Sequence, residues 1–256
     1  MRLIAASIAL AIASPSFAAE GMWTLDNLPK AQMQAEFGFT PTEAWVQKVM
    51  RSSVRLAGGC SGSFISGDGL VLTNHHCIVG CIGDLSSADE DLMRDGFLAK
   101  TRADERQCPN FEINRLESIS DVSGRIREAT QGLSGEDFAN AKRAAQSAIE
   151  SECAGEDRNR VRCDVVDLYQ GGVQHLYRYT RFQDVRLSFA PEFAAGFFGG
   201  DPDNFNFPRY NLDMSLLRVY SGGKPAATPD YLPWSAKGAA EGDMVLLPVD
   251  TSETLG

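Results

Sequence analysis

The chain is short of the features that mark nucleic-acid or membrane proteins. It has 24 Lys and Arg against 34 Asp and Glu, a net charge of −10, and no basic block stands out. A nucleic-acid partner is therefore not expected, and the acidity reads mainly as solubility. After the first 18 residues no apolar run is long enough to span a bilayer. There is no internal repeat and no low-complexity tract, and only three histidines, His75, His76 and His175, are available for imidazole chemistry. With 43% hydrophobic residues in 256, the chain can fill the core of one large domain or two small ones.

What is present begins with a leader. Arg2, the apolar stretch 3–13 and Ser16-Phe17-Ala18 have the order of a secretory signal with a small-residue cleavage site, so residues 1–18 are expected to be removed. All six cysteines follow it. An even count in an exported chain favours disulfides over free thiols, and the pairing stays open.

Residues 20–41 read as a loose lead-in containing Pro29 and Pro41, and residues 42–50 as a helix with one apolar face. The period then shortens. Residues 53–56, 62–66 and 70–74 are β-type, with Gly67-Asp68-Gly69 as a hairpin turn. From 85 to 156 the chain turns polar. A helix at 122–129 and a longer one, starting at Ser134-Gly135-Glu136-Asp137 and ending near Cys153, fit there. The second carries Phe138, Ala141, Ala145, Ala148 and Ile149 on one face. This segment reads as a solvated helical insertion. β-type sequence returns at 173–179, 184–189 and 212–220, and 244–249 is a last apolar run. A mainly β core interrupted by helices fits best.

Two motifs carry chemistry. The first runs from Gly58-Gly59-Cys60-Ser61-Gly62-Ser63-Phe64-Ile65 to Leu70-Val71-Leu72-Thr73-Asn74-His75-His76-Cys77. The second is Gly199-Gly200-Asp201-Pro202-Asp203-Asn204-Phe205-Asn206-Phe207-Pro208-Arg209-Tyr210-Asn211-Leu212-Asp213, a turn-rich loop able to present polar groups on a rigid frame. The first resembles the wall that holds the general base in chymotrypsin-type serine proteases. That likeness selects His76, directly before the cysteine, and suggests a Cys60–Cys77 tie. His75 is then a structural neighbour, and His175 a half-exposed strand residue. Ser61 and Ser63 fall on a structural strand, not a nucleophile loop. The metal alternative, with His75, His76, Cys77 and Cys81 as ligands, is disfavoured because adjacent strand residues face opposite ways. An imidazole base needs a carboxylate to hold its near N–H. Asp213, opening an apolar strand as the triad aspartate does in trypsin-like chains, is the candidate ahead of Asp201 and Asp203.

Together with Glu20-Gly21-Met22-Trp23, the two motifs resemble the N-terminal part of the bacterial dipeptidyl-peptidase 7 and dipeptidyl-peptidase 11 family of serine exopeptidases. The resemblance implies a chymotrypsin-like double β-barrel with an inserted helical domain. It implies release of dipeptides from peptides with a free N-terminus, and no metal or organic cofactor. His76 and Asp213 take the roles of base and triad aspartate. The family binds the substrate α-amino group through an Asn-Trp pair, which falls on Asn204 and Phe205, so the indole N–H is lost here. Residues 19–256 are expected to be the N-terminal part of the peptidase domain, with a helical insertion at about 85–160. The nucleophile-bearing segment is expected downstream, making this a partial form, inactive alone. The expected location is the periplasm of a Gram-negative cell. The expected partner is an oligopeptide, and a homodimer of the full-length protein stays open. A trypsin-like secreted endopeptidase and a catalytically dead peptide-binding module remain as alternatives.

Overall fold

The computed structural model describes residues 23–200 and 208–247. The leader, Asn204 and Phe205 lie outside them. The first elements are helices α1 (Lys30–Phe37) and α2 (Glu43–Ser52). In α2 the Thr42 side chain accepts from the Trp45 N–H at 3.2 Å, and Val46 and Met50 form the buried stripe. α1 lies inside the expected lead-in. It buries only Met33, so it has little apolar period to reveal it, and Gly38 closes it in the left-handed conformation.

Strands β1 (Ser53–Leu56), β2 (Cys60–Phe64) and β3 (Leu70–Thr73) follow as antiparallel hairpins. Val54, Leu56, Phe64 and Val71 point into the core. Gly69 makes the β2–β3 turn possible. Its φ is +80°, and a Cβ there would stand 2.7 Å from the Val219 carbonyl oxygen.

Helices α3 (Val79–Leu85) and α4 (Leu92–Asp95) lead to short strands β4 (Phe97–Leu98) and β5 (Arg106–Gln107), then to β6 (Ile113–Asp121). Helices α5 (Ser123–Thr130) and α6 (Gly135–Ala154) precede β7 (Val161–Leu168), β8 (Val173–Phe182) and β9 (Asp184–Ala190). The short helix α7 (Phe193–Gly196), β10 (Ser215–Ser221) and β11 (Lys224–Pro225) complete the described elements. The strands make one eleven-stranded antiparallel sheet ordered β4-β9-β10-β3-β2-β1-β6-β8-β7, with β5 on β9 and β11 on β10.

This sheet curls. β8 runs almost directly into β9, although the two stand far apart in strand order. Phe182 from the end of β8 therefore packs in the same core as Phe64, Val185, Leu187 and Leu217. Phe64 and Phe182 meet edge to face, with ring centroids 6.1 Å apart. Outside that core, α5 and α6 cover the β7–β8 ribbon through Val122, Ile126 and Ile149. Of the five-residue face expected on α6, Ile149 is buried, whereas Phe138 and Ala148 are exposed.

The expected helical insertion at 85–160 needs correction. It holds the helices, but it also supplies β4, β5 and β6, and β6 lies inside the sheet between β1 and β8, with Ile113 fully buried. Its polar residues hid it. Arg115 pairs with Glu117, Glu112 with Arg162 and Arg181, and Asp164 on β7 with Arg55 and Arg162. Charges satisfied by each other on a sheet read, in sequence, like a solvated surface. His175 also differs from expectation. It is 9% exposed, with its Nδ1 3.4 Å from Asp26 Oδ2. Met244–Leu247 forms no strand, and Val245 and Leu247 are exposed. Among the described residues no helix is long and apolar enough to cross a membrane.

Candidate active site

Strand pairing builds the site. β3 and β10 run antiparallel with Thr73 opposite Ser215. The residues just after β3 therefore face those just before β10, and His76 and Asp213 meet across that edge. His76 is not on a strand. The chain turns at His75 into a short 3-10 turn, His76–Ile78, that continues into α3. The two imidazoles diverge because of that turn and not because of strand alternation.

Asp213 is surrounded by donors. Its Oδ2 lies 2.7 Å from His76 Nδ1, and its Oδ1 accepts the His76 main-chain N–H at 2.9 Å. Asn74 Nδ2 donates to the Asp213 main-chain oxygen at 3.1 Å and to Oδ2 at 3.3 Å. An ionised carboxylate only accepts, so the imidazole proton sits on Nδ1 and the lone pair on Nε2. Nε2 has no partner among the described residues, and the His76 side chain is 61% exposed. A carboxylate-fixed imidazole with an outward lone pair can accept a proton from a hydroxyl brought to it.

Burial pushes the Asp213 carboxyl up, but the His76 N–H groups, its charge and the His75 main chain outweigh that and hold it below the ordinary aspartate value. His75 is also depressed. Its burial outweighs the Asp213 charge and the Pro191 carbonyl, which favour the cation. Both shifts act with the same sign. The Asp213 contribution to stability is complete above its unfolded value near 3.9 and is lost as pH falls through the lower folded value. The His75 contribution is present above about 6.5 and declines as the unfolded chain takes up its proton first. Urea titrations across pH should therefore show stability falling below about 6.5 and again below about 4. Asp213→Asn should shrink the lower step and, by removing the charge that favours the His75 cation, deepen the upper one. An unchanged lower step would contradict the pairing.

The turn is braced covalently. Cys77 is disulfide-bonded to Cys60 at the start of β2, and Cys81 on α3 to Cys108. A third bond, Cys153–Cys163, ties α6 to β7. With Cys77 and Cys81 both oxidised, the four-ligand metal alternative loses its thiolates. The same holds for the cluster of His76 with Cys60 and Cys77. Ser61 and Ser63 lie on β2, with Ser63 opposite Leu72.

Behind the pair, α7 packs on His75. The second motif returns to that helix: the Leu212 N–H bonds the Ala195 oxygen at 2.8 Å, and Asn211 Nδ2 bonds the Gly196 oxygen at 3.2 Å. Arg209 stacks over the Phe198 ring at 4.7 Å. Sequence reasoning missed Asn74 and Gly196. An amide directly before the histidine pair was a usable signal for Asn74. Nothing local marked Gly196, because its neighbour is 121 positions away in sequence (196 against 75).

An antiparallel β protein that presents a carboxylate-held imidazole to solvent is the class that this fold and site define. The chain belongs to peptidase family S46, whose family model, Peptidase S46, matches residues 18–252. Dipeptidyl-peptidase 7 of Porphyromonas gingivalis is 34% identical over 229 residues, covering 86% of this chain and 32% of that protein. An Asp/Glu-specific dipeptidyl-peptidase of Capnocytophaga gingivalis is 32% identical over 246 residues, 89% of this chain and 34% of that one. The crystal structure of Porphyromonas endodontalis DPP11 in complex with dipeptide Arg-Glu superposes with a TM-score of 0.70 at 25% identity, covering 87% of this chain and 35% of that one. The chain thus spans about a third of the length of the curated relatives it matches.

Proposed function

We propose that the protein is a secreted, periplasmic serine-type dipeptidyl peptidase that releases dipeptides from the free N-terminus of peptides. The observation that carries this reading is the Asp213-held His76, with Nε2 facing outward on a turn tied to the sheet. Membership of a family whose relatives are named dipeptidyl-peptidases supports the substrate class. The curled sheet fits the first barrel of a chymotrypsin-like double barrel, and residues 1–18 fit a removable leader. A homodimer is compatible with this reading.

In this mechanism a serine hydroxyl, supplied from outside the described residues, passes its proton to His76 Nε2 as its oxygen attacks the scissile carbonyl. Asp213 stabilises the imidazolium and fixes the ring. The imidazolium then returns the proton to the leaving amine, and water removes the acyl group by the same route. Asn204 would accept from the substrate ammonium through its side-chain oxygen, with Phe205 as an apolar wall beside it. A closed end at the amine makes the distance to the scissile bond two residues long.

The full-length protein should release dipeptides from peptides with a free N-terminus and leave N-acetylated ones intact. Cleavage of both at similar rates would instead make it an endopeptidase. Binding of free-amine peptides without any turnover would make it a binding module. Asn204→Ala should raise KM by about 10- to 100-fold, the worth of one hydrogen bond to a charged group, with kcat little changed. A KM that stays put would remove Asn204 from the amine site.

A further inference from the structure

Directly behind His76 stands a second imidazole that the proposed chemistry does not use. The His75 ring is 1% exposed. Its Nε2 is buried without a hydrogen-bond partner among the described residues, and the Pro191 carbonyl favours the cation without outweighing burial. A side chain kept only to fill space would be aliphatic there, because an unpaired buried nitrogen is destabilising. What the ring contacts is α7. A Cβ on Gly196 would stand 2.8 Å from His75 Cγ and 2.9 Å from Nδ1, so the helix lies against the ring with room for nothing larger than hydrogen. Gly196 does not have a positive φ, so space and not backbone conformation requires glycine.

The other side of α7 holds the segment that delivers the carboxylate. The Ala195 and Gly196 oxygens accept from the Leu212 N–H and Asn211 Nδ2, and Asp213 is the next residue. A short series of contacts therefore runs from the His75 ring through Gly196, Asn211 and Leu212 to Asp213, and back to His76. We propose that His75 is a positioning residue: its ring, pressed on Gly196, sets the standoff of α7 and thereby the place of Asp213 against His76 Nδ1. The kinetic part of this inference rests on the peptidase reading. The geometric part does not.

The test is Gly196→Ala in the full-length protein, with Gly80→Ala on α3, where a Cβ meets nothing within 4 Å, as the control. Gly196→Ala should lower kcat by about 10- to 100-fold, as a small misplacement of a catalytic group does. KM should stay within about twofold, the signature of an interaction made only in the transition state. The hydrogen-bonded Nδ1–H proton of His76, followed by NMR, should weaken or move. Gly80→Ala should change none of these. Adding His75→Ser should make room for the new methyl, so the double variant should recover to the level of His75→Ser alone. Asn211→Ala leaves the core intact and should lower kcat several-fold with the same split. The proposal fails if Gly196→Ala keeps kcat within about twofold with an unchanged proton signal. It also fails if KM and not kcat moves, or if the double variant is additive. If the wild type releases no dipeptide, the peptidase reading fails, and the NMR comparison still decides whether His75 places Asp213.

Discussion

Asp213→Asn should cut kcat of the full-length protein by roughly four orders of magnitude, the size seen when a triad aspartate becomes an amide. The reason lies in the donors around it. His76 offers Asp213 two N–H groups, from its main chain and its ring, and Asn74 offers a third. An amide has one acceptor oxygen in place of two. If that oxygen keeps the His76 main-chain bond, the NH2 group faces Nδ1, which must then accept, and the imidazole proton moves to Nε2. His76 then presents a proton where a general base would need a lone pair. The fold should tolerate the change, since the shape is the same. Rates of dipeptide release, with Tm in parallel, check this. A loss below tenfold would remove Asp213 from the role of the imidazole's partner.

Removing the Cys60–Cys77 bond as Cys60→Ala/Cys77→Ala should cost about 3 kcal/mol, the loop-closure entropy for a 17-residue separation. The Cys153–Cys163 bond closes 10 residues and should cost nearly as much, also about 3 kcal/mol. Activity separates the two. Cys77 follows His76 directly, so its loss should loosen the imidazole and reduce kcat. The bond between α6 and β7 lies away from the site, and its loss should leave kcat alone at temperatures where the protein stays folded. Urea unfolding gives the first pair of numbers and turnover the second. Equal kcat losses in both variants would mean that Cys60–Cys77 acts on overall stability and not on the position of His76.

Much of the site was readable because its residues are local or chemically conspicuous. His76 stands before a cysteine at the end of a β-type run, and Asp213 opens the apolar strand that became β10. Alternating apolar residues with glycine turns announced β1, β2 and β3, and Ser134 with the acidic turn after it announced α6. The missed parts have other causes. β6 and β7 carry charges that neutralise each other within a strand, as in Arg115–Glu117 and Arg162–Asp164, or from other segments, as in Arg55–Asp164, so buried strands read as polar. The burial of His175 is not legible in its own strand, because its Asp26 partner comes from a remote segment. Gly196 has significance only beside His75. For His175 and Gly196 the deciding partner is distant in sequence.

The Thr73–Ser215 register carries a consequence for the order of folding. His76 and Asp213 are 137 positions apart, and they meet only when β10 has entered the sheet beside β3. The hairpins of β1–β3 and β7–β8 close over short loops and can form early, whereas a pairing of such high contact order comes late. A chain that has folded only its local parts has its histidine turn but no acid to orient it. Assembly of the His76–Asp213 pair therefore reports on completion of the described sheet.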